Sequence, residues 1–495
     1  MIKTLKLFCL IVFVLVFIFS LSGCDELDET PGKDEDIIYD DPDDPSDPSD
    51  PDDPSDPSDP PDIDVDPTLE EIIAAMLSEQ EGTKDTPAVL KLDVEIGNMT
   101  DTNGNWHRIL KVIETSGKYV DLDLSACAML YYFFDPDYRI TDGKDLIIKI
   151  TLPDAAIEII GVDNINAYKR AFIDFLNLEY VSGKNIDHIG SFAFFSCTTL
   201  KNIVFPNLKH IGNSVFTYCE NLIEADFPLL DSMGNNTFSG CASLKTVNFP
   251  ELTEVKPYTF YECSNLETAF ILKTTLIDQY AFYNCSSLAE ADFPLVETLG
   301  NYAFFDCSNL EEINIPKITI IYPHVFQNCT SLTEINFPIV SYIATDAFKD
   351  CINLQKAKFH ANVPKMIFED YAFYGCKKLE VLDLRNTYDV YFGAGVLGNI
   401  GDTRDRILDL YLFDDDGTKS RGHPPVGHFL GGGKDGGIQT IITINIIAPK
   451  VDGESQIEKE DHVTGVHGIY YRLTKDLAHN EYIKTNLIRK NDLYD

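Results

Sequence analysis

The sequence predicts a solenoid of stacked coils, each about 22 residues long. Cysteines stand 22 residues apart at eight successive positions, and a ninth follows after 25. A phenylalanine lies three positions before each of them and a leucine three positions after it. A fixed period of this length is typical of stacked units, none of which can bury its apolar face alone. The nine cysteines are Cys197, Cys219, Cys241, Cys263, Cys285, Cys307, Cys329, Cys351 and Cys376.

Each repeat predicts one short strand in a parallel sheet. In the unit that begins at Leu244, Val247 and Phe249 point to the interior, whereas Thr246 and Asn248 between them point to solvent. A proline after the strand cannot continue a hydrogen-bonded ladder, and an apolar residue followed by glycine predicts a tight corner. The residues from phenylalanine to cysteine predict a short helical or 3-10 turn. We therefore expect a β-rich α/β solenoid, a right-handed stack with a parallel sheet, capped at both ends.

The N-terminus carries a targeting segment. Two lysines precede an unbroken apolar run from Leu7 to Phe19, and small residues follow before Cys24. This arrangement is typical of a secretory signal peptide, here residues 1–23, and is too short for a comfortable membrane span. The Leu-Ser-Gly-Cys sequence resembles the bacterial lipobox, which implies lipidation of Cys24. An ordinary cleaved signal with a chance cysteine is the alternative.

Residues 24–66 predict an acidic stalk. From Asp25 to Asp66 the chain has 20 acidic residues and the single Lys33, which is nearly half of the net charge of −41. A stretch of little but Asp, Pro and Ser buries no core, and proline with like charges keeps it extended. We expect a stiff spacer that holds the remainder away from the membrane. A merely solubilising tail is the alternative.

The folded part begins near residue 67 with an N-terminal cap at 67–116. Thr68 and Glu71 form a capping-box pair, and the stripe Ile72, Ile73, Met76 and Leu77 predicts the buried face of a helix. A strand is predicted from Val89 to Ile96 and a second helix from Trp106 to Glu114. Alternation at 120–124 predicts another strand. The repeat region is expected at 117–384.

The motif within each coil resembles a known family. The segment Ile189-Gly-Ser-Phe-Ala-Phe-Phe-Ser-Cys-Thr-Thr-Leu200 is similar to the BspA-like class of leucine-rich repeats, and the resemblance covers about residues 117 to 390. It implies a curved parallel-β solenoid on the surface of a host-associated bacterium. Family members are described as adhesins that bind matrix proteins such as fibronectin and fibrinogen, or that join bacteria to one another.

The recurring cysteines are expected to be small buried apolar residues. Equivalent atoms of stacked coils lie about 4.8 Å apart with parallel side-chain vectors, whereas a disulfide needs Cβ atoms about 3.8 Å apart and a defined twist. A ladder of thiols without Cys-x-x-Cys or a recurring histidine gives no tetrahedral metal site. We expect the thiols to fill the space between the phenylalanine and leucine columns.

The outward strand positions are the candidate ligand-binding residues. Acidic side chains run through the middle of this face and two lysines close it, while Phe270 is exposed by register in an irregular unit. Like charges on adjacent strands are mildly destabilising, so their presence suggests a basic or cation-bridged ligand. Solvated carboxylates and local repacking around Phe270 are the alternatives. The candidates are Glu224, Asp226, Phe270, Glu290, Asp292, Glu312, Glu334, Lys356 and Lys358.

The segment 385–495 shows no catalytic motif and predicts a C-terminal cap. Apolar runs at 407–412 and 440–447 suggest two strands, and a glycine-rich loop lies at 421–434. That loop lacks the spacing of a phosphate-binding loop, and His423 and His428 have no third metal-ligating partner in view. We therefore expect no enzyme activity, cofactor or metal, and the acidic composition disfavours nucleic acid.

The leading hypothesis is a lipid-anchored protein at the outer surface of a bacterial cell envelope. It binds host matrix or bacterial proteins through its strand face and contacts the membrane through its anchor. A structural envelope lipoprotein without a host ligand is the second hypothesis. A carbohydrate-active enzyme in the C-terminal segment is a distant third.

Overall fold

The computed structural model describes residues 67–136, 139–162, 171–359, 365–384, 390–393 and 395–398. It also describes the backbone of three strands at 406–411, 442–448 and 483–489. The predicted signal peptide, the predicted lipidation site Cys24 and the predicted acidic stalk lie outside the described residues, and so does the glycine-rich loop with His423 and His428.

Two helices and two columns of strands make up the described chain. The helices are α1 (Leu69–Ser78) and α2 (Asn105–Ser116), and a single 3-10 turn lies at Lys144–Leu146. The first strands are β1 (Ala88–Lys91), β2 (Glu95–Gly97), β3 (Val120–Asp123), β4 (Ala128–Met129), β5 (Phe133–Phe134), β6 (Ile147–Thr151), β7 (Glu158–Ile159), β8 (Tyr180–Ser182), β9 (His188–Ile189), β10 (Asn202–Val204), β11 (His210–Ile211), β12 (Glu224–Asp226), β13 (Ser232–Met233), β14 (Thr246–Asn248) and β15 (Glu254–Val255). The remaining strands are β16 (Thr268–Phe270), β17 (Leu276–Ile277), β18 (Glu290–Asp292), β19 (Thr298–Leu299), β20 (Glu312–Asn314), β21 (Ile320–Ile321), β22 (Glu334–Asn336), β23 (Tyr342–Ile343), β24 (Lys356–Lys358), β25 (Met366–Phe368), β26 (Val381–Asp383), β27 (Val390–Phe392), β28 (Arg406–Tyr411), β29 (Ile442–Ala448) and β30 (Ile483–Arg489).

The N-terminal cap follows the predicted pattern with one correction. The Thr68 hydroxyl accepts from the Glu71 amide and the Glu71 carboxylate accepts from the Thr68 amide, so the capping box is confirmed. Ile73 and Leu77 are buried, but Ile72 is 43% exposed, so its assignment to the buried stripe is wrong. Helix α1 packs on α2 and β1, and this contact covers the arc of Ile73 and Leu77 and leaves Ile72 outside it. The strand predicted at 89–96 divides into β1 and β2.

All paired strands run parallel, with partners one coil apart. The longer strands form sheets in the orders β1-β3-β6-β8-β10, β12-β14-β16, β18-β20 and β22-β24-β26-β28-β29-β30. The two-residue strands form a second column in the orders β5-β7-β9-β11-β13, β15-β17-β19 and β21-β23-β25-β27, and β2 pairs with β4. In register, Thr246 faces Thr268 and Asn248 faces Phe270. The strands predicted near 407–412 and 440–447 are confirmed as β28 and β29, while β30 was not predicted.

The segment between phenylalanine and cysteine forms a third hydrogen-bonded side. In the coil of Cys263, the amides of Tyr258, Phe260 and Glu262 donate to carbonyl oxygens of the next coil at 3.1, 2.8 and 2.8 Å. Left-handed backbone recurs at two positions of each such segment, here Tyr258 at φ 59° and Glu262 at φ 59°. The predicted turn is present, since the amides of Tyr261 and Cys263 donate to carbonyl oxygens three residues earlier at 3.3 and 3.1 Å, but the left-handed residues interrupt it and no helix forms in this segment. Hydrogen bonds between coils set the backbone conformation of this segment, because every second amide points along the stack, as amides do in a parallel ladder.

Columns of identical side chains fill the interior. From Phe194 to Phe373 the phenylalanine rings are buried, and successive ring centroids are 5.0 to 5.8 Å apart. A second buried column contains Phe249 and Phe293, with Ile271 between them in the irregular coil. Offset and stacked rings at such distances add to the burial of their area. The described coils therefore share one continuous core.

The cysteine column is buried as predicted, and each thiol has a hydrogen-bond role that the sequence did not reveal. The Sγ of Cys263 donates to the carbonyl oxygen of Phe238 in the preceding coil at 3.1 Å, and the Sγ of Cys285 donates to that of Phe260 at 3.2 Å. Each of the other repeat cysteines makes the same bond at 3.0 to 3.5 Å. Burial raises the pKa of the Cys219 and Cys241 thiols far above the ordinary value. These sulfurs therefore act as neutral donors between coils.

Candidate interaction surface

The outward positions of the longer strands form the predicted surface. These are the three-residue strands β10, β12, β14, β16, β18, β20, β22 and β24. The central residue of each points inward, and its two neighbours point outward. The first outward column is Asn202, Glu224, Thr246, Thr268, Glu290, Glu312, Glu334 and Lys356. The second is Val204, Asp226, Asn248, Phe270, Asp292, Asn314, Asn336 and Lys358. We call these two columns the strand face.

Phe270 is the large apolar side chain at the centre of the strand face. It is 53% exposed, although it stays in register with Asn248, so the irregular coil does not displace the strand. In that coil Ile271 occupies the buried column, and Leu272 is 49% exposed where other coils have proline. Two neighbouring apolar side chains are thus open to solvent. A partly exposed aromatic ring of this kind is typical of protein-binding surfaces.

Two glutamates lie in line on β18 and β20, the two long strands that follow the strand of Phe270. Glu290 is the register partner of Glu312 on the adjacent strand, and both are exposed. Among the described residues no ion pair joins either carboxylate to a lysine or arginine. Glu334, the next residue of the column, instead accepts from the Lys358 ammonium. Glu290 and Glu312 are therefore exposed carboxylates without a cationic partner among the described residues, one and two coils beyond Phe270.

The second column relieves much of its like-charge repulsion with amides. The Asn248 amide donates to the Asp226 carboxylate at 2.8 Å, and the Asn314 amide donates to the Asp292 carboxylate at 2.7 Å. A carboxylate that accepts such a bond is held at a fixed position between strands. The sequence analysis missed this arrangement, although the alternation of Asp and Asn at 22-residue spacing was available as a signal.

The described part of the chain offers no alternative metal or membrane-spanning feature. Within it, no group of three or more His, Cys, Asp and Glu side chains is placed to hold a metal ion. No helix among those residues has the length and apolarity needed to cross a bilayer.

Comparison with known proteins agrees with the repeat motif. The family model for the BspA type leucine rich repeat region matches residues 163–289 and 253–380, with six copies. Residues 163–380 form a BspA-type leucine-rich repeat region. This BspA-type region includes Glu224, Phe270, Glu290 and Glu312 of the strand face. The resemblance and the β-rich solenoid fold predicted from the sequence are confirmed.

Solved structures similar to this chain include three bacterial proteins. A leucine rich cell surface protein from Faecalibacterium prausnitzii is 23% identical over 53% of this chain and 82% of that chain, with a TM-score of 0.34. A leucine-rich repeat protein from Bacteroides ovatus is 17% identical over 68% and 88%, with a TM-score of 0.37. The pneumococcal vaccine antigen PcpA is 15% identical over 70% and 79%, with a TM-score of 0.32. No curated protein matches the chain.

Proposed function

We propose that this chain is a lipid-anchored surface protein whose BspA-type region binds other proteins through its strand face. The observation that carries the proposal is Phe270, an exposed ring on β16 that is followed one and two coils later by the exposed carboxylates of Glu290 and Glu312. Aromatic side chains that enter a pocket on the partner carry much of the binding free energy in protein interfaces. The excess of acid favours a partner with a basic surface, which electrostatic attraction would also steer during encounter.

The proposed domain order places this surface away from the membrane. Lipidation at Cys24 would anchor residues 24–66, which hold the solenoid at a distance, and residues 385–495 would close its end. Two or more acyl chains bind a bilayer durably at about 0.8 kcal/mol per buried methylene. Labelling of growing cells with a fatty-acid analogue tests the anchor. Loss of the label in Cys24→Ala is expected, and retention of the label would exclude lipidation at this residue.

The binding test uses immobilised matrix proteins, with fibronectin and fibrinogen first, and the purified full chain. We expect saturable binding that is weakened about tenfold or more by the triple variant Glu290→Gln, Glu312→Gln and Phe270→Ala, because it removes both the anchor and its charge. A matched variant, Glu220→Gln with Glu297→Gln, removes two exposed carboxylates that lie outside the strand face. It should bind as the wild type does.

Equal binding by the triple variant and the wild type would exclude the strand face as the binding surface. Failure of the full chain to bind any protein, together with absence of antibody labelling on intact cells, would instead support a structural envelope role. Circular dichroism of each variant separates loss of binding from loss of fold.

A further inference from the structure

A second aromatic surface lies on the third side of the central coils, away from the strand face. Its side chains stand five and two positions before successive cysteines, and they form two columns. We call this surface the aromatic turn face. It consists of Tyr258, Tyr261, Tyr280, Tyr283, Tyr302 and Phe305.

The rings of each column stack directly on one another. Tyr280 lies 4.8 Å from Tyr258 and 4.8 Å from Tyr302, centroid to centroid, with interplanar angles of 6° and 5°. In the other column Tyr283 lies 4.8 Å from both Tyr261 and Phe305. Neighbouring coils therefore cover the flat ring faces. The parts open to solvent are the ring edges and, in the tyrosines, the hydroxyl groups.

The fold does not require aromatic residues at these positions. The coil that precedes the aromatic turn face has Asn236 and Ser239 at the equivalent places, both buried, and the one before that has Ser214 and Thr217. The phenylalanine column behind them stacks equally well in those coils. A patch of half-buried rings in three successive coils is thus additional to the needs of the core, which is typical of an interaction surface.

The aromatic turn face carries two carboxylates. Glu262 and Asp306 stand one position before Cys263 and Cys307, in the same turn segments as the rings. Burial raises the pKa of the Tyr283 phenol, and the negative charges of Asp306 and Glu262 raise it further. Both carboxylates directly follow the outer rings of this column in the chain, Glu262 after Tyr261 and Asp306 after Phe305. Positive charge on a partner would strengthen its binding to this face. A second copy of this acidic chain is disfavoured because like charges repel.

The carboxylates recur at a spacing that selects the backbone of the partner. One position before five successive cysteines, from Cys263 to Cys351, the chain alternates acid and amide, in the order Glu262, Asn284, Asp306, Asn328 and Asp350. The Asn328 amide donates to the Asp306 carboxylate at 2.6 Å, which fixes its position. Acids two coils apart are about 10 Å apart along the stack. In a polyproline-II helix the side-chain direction repeats every three residues, or about 9.3 Å. In an extended strand it repeats every two residues, or about 6.7 Å.

We propose that the aromatic turn face binds a basic, proline-rich segment of another protein in the polyproline-II conformation, with Arg or Lys at every third residue. The proline rings pack on the tyrosine edges, as proline-rich segments do on aromatic-lined surfaces. The Arg or Lys side chains of the segment form ion pairs with Glu262 and Asp306. The rigid ligand loses little conformational entropy on binding. This inference is independent of the strand face.

The test measures binding of fluorescent peptides to the purified full chain by anisotropy at physiological ionic strength. The first peptide has five repeats of Pro-Pro-Arg, the second has five repeats of Gly-Gly-Arg, and the third has the first composition with its arginines clustered at one end. The three peptides have the same net charge, and the acidic stalk is unchanged in the variants below, so a preference that the variants abolish does not arise from the stalk. We expect the first peptide to bind about fivefold more tightly than the other two.

Two variants locate the preference. Tyr280→Asn with Tyr283→Ser installs the pair that the chain itself carries at Asn236 and Ser239, so the coil should fold. Glu262→Gln with Asp306→Asn removes the two carboxylates. Both should abolish the preference, whereas the strand-face variant Glu290→Gln with Glu312→Gln should retain it. Equal affinity of the wild type for the three peptides, or a preference that survives the tyrosine exchange, would overturn the proposal.

Discussion

Replacement of Phe260 and of Phe270 by alanine compares the same truncation in two opposite environments. The Phe260 ring is fully buried, with the Phe238 ring 5.8 Å away on one side and the Phe282 ring 5.1 Å away on the other. Truncation of a buried phenylalanine lowers the free energy of unfolding by about 3 to 5 kcal/mol, including about 0.5 to 1.5 kcal/mol for each stacked pair. Phe270 is 53% exposed, so its truncation removes about half of the transfer free energy of a buried phenylalanine. The expected loss of unfolding free energy is about 1 kcal/mol.

The assay is equilibrium urea unfolding of each variant, followed by circular dichroism, with the slope of the transition compared as well as its midpoint. A solenoid can lose cooperativity when one coil is weakened, and a changed slope would reveal this. We expect Phe260→Ala to shift the midpoint several times further than Phe270→Ala. Equal shifts would refute the register argument, because the two rings would then have similar environments, and the strand face would lose its basis.

Three further predictions follow from the packing of the coils. The ten buried cysteines of the described residues should react with a thiol reagent at about pH 8 only as fast as the protein unfolds, because buried neutral thiols are inaccessible. Labelling of the native chain at these positions within minutes would contradict this. Gly240→Ala should reduce the unfolding free energy more than Gly97→Ala. Both glycines have positive φ, but the new Cβ at 240 would lie 2.5 Å from the Tyr218 ring, whereas a Cβ at 97 would contact nothing within 4 Å. Equal losses would show that the Tyr218 ring moves aside freely. The Arg108 guanidinium lowers the pKa of Glu70 by hydrogen bonding, so its stabilisation should be present above about pH 4.3 and should disappear as the pH falls through the lower folded-state pKa. The difference in melting temperature between the wild type and Arg108→Ala should therefore shrink from about pH 6 to about pH 3, and a constant difference would argue against this linkage.

The 22-residue period was sufficient to predict the architecture and the sidedness of the strands. The inward direction of Val247 and the outward direction of Phe270 follow from counting along one repeat, because a strand alternates its side chains with a period of two. The capping box of α1 is equally local, since Thr68 and Glu71 lie within one turn. Such features depend on residues close in the chain or on an unbroken repeat.

The stacking of coils decided what no single repeat contains. The thiol bond to the preceding phenylalanine carbonyl, the Asp and Asn pairs and the columns of Tyr258, Tyr280 and Tyr302 all join residues one coil apart. The left-handed turns likewise depend on amide donation to the next coil rather than on local propensity. The sequence by itself determined which side chains face inward or outward within one coil, through the strict alternation of its strands. Only the tertiary structure decided how outward side chains join into surfaces, because those contacts exist only after coils about 4.8 Å apart are placed in register.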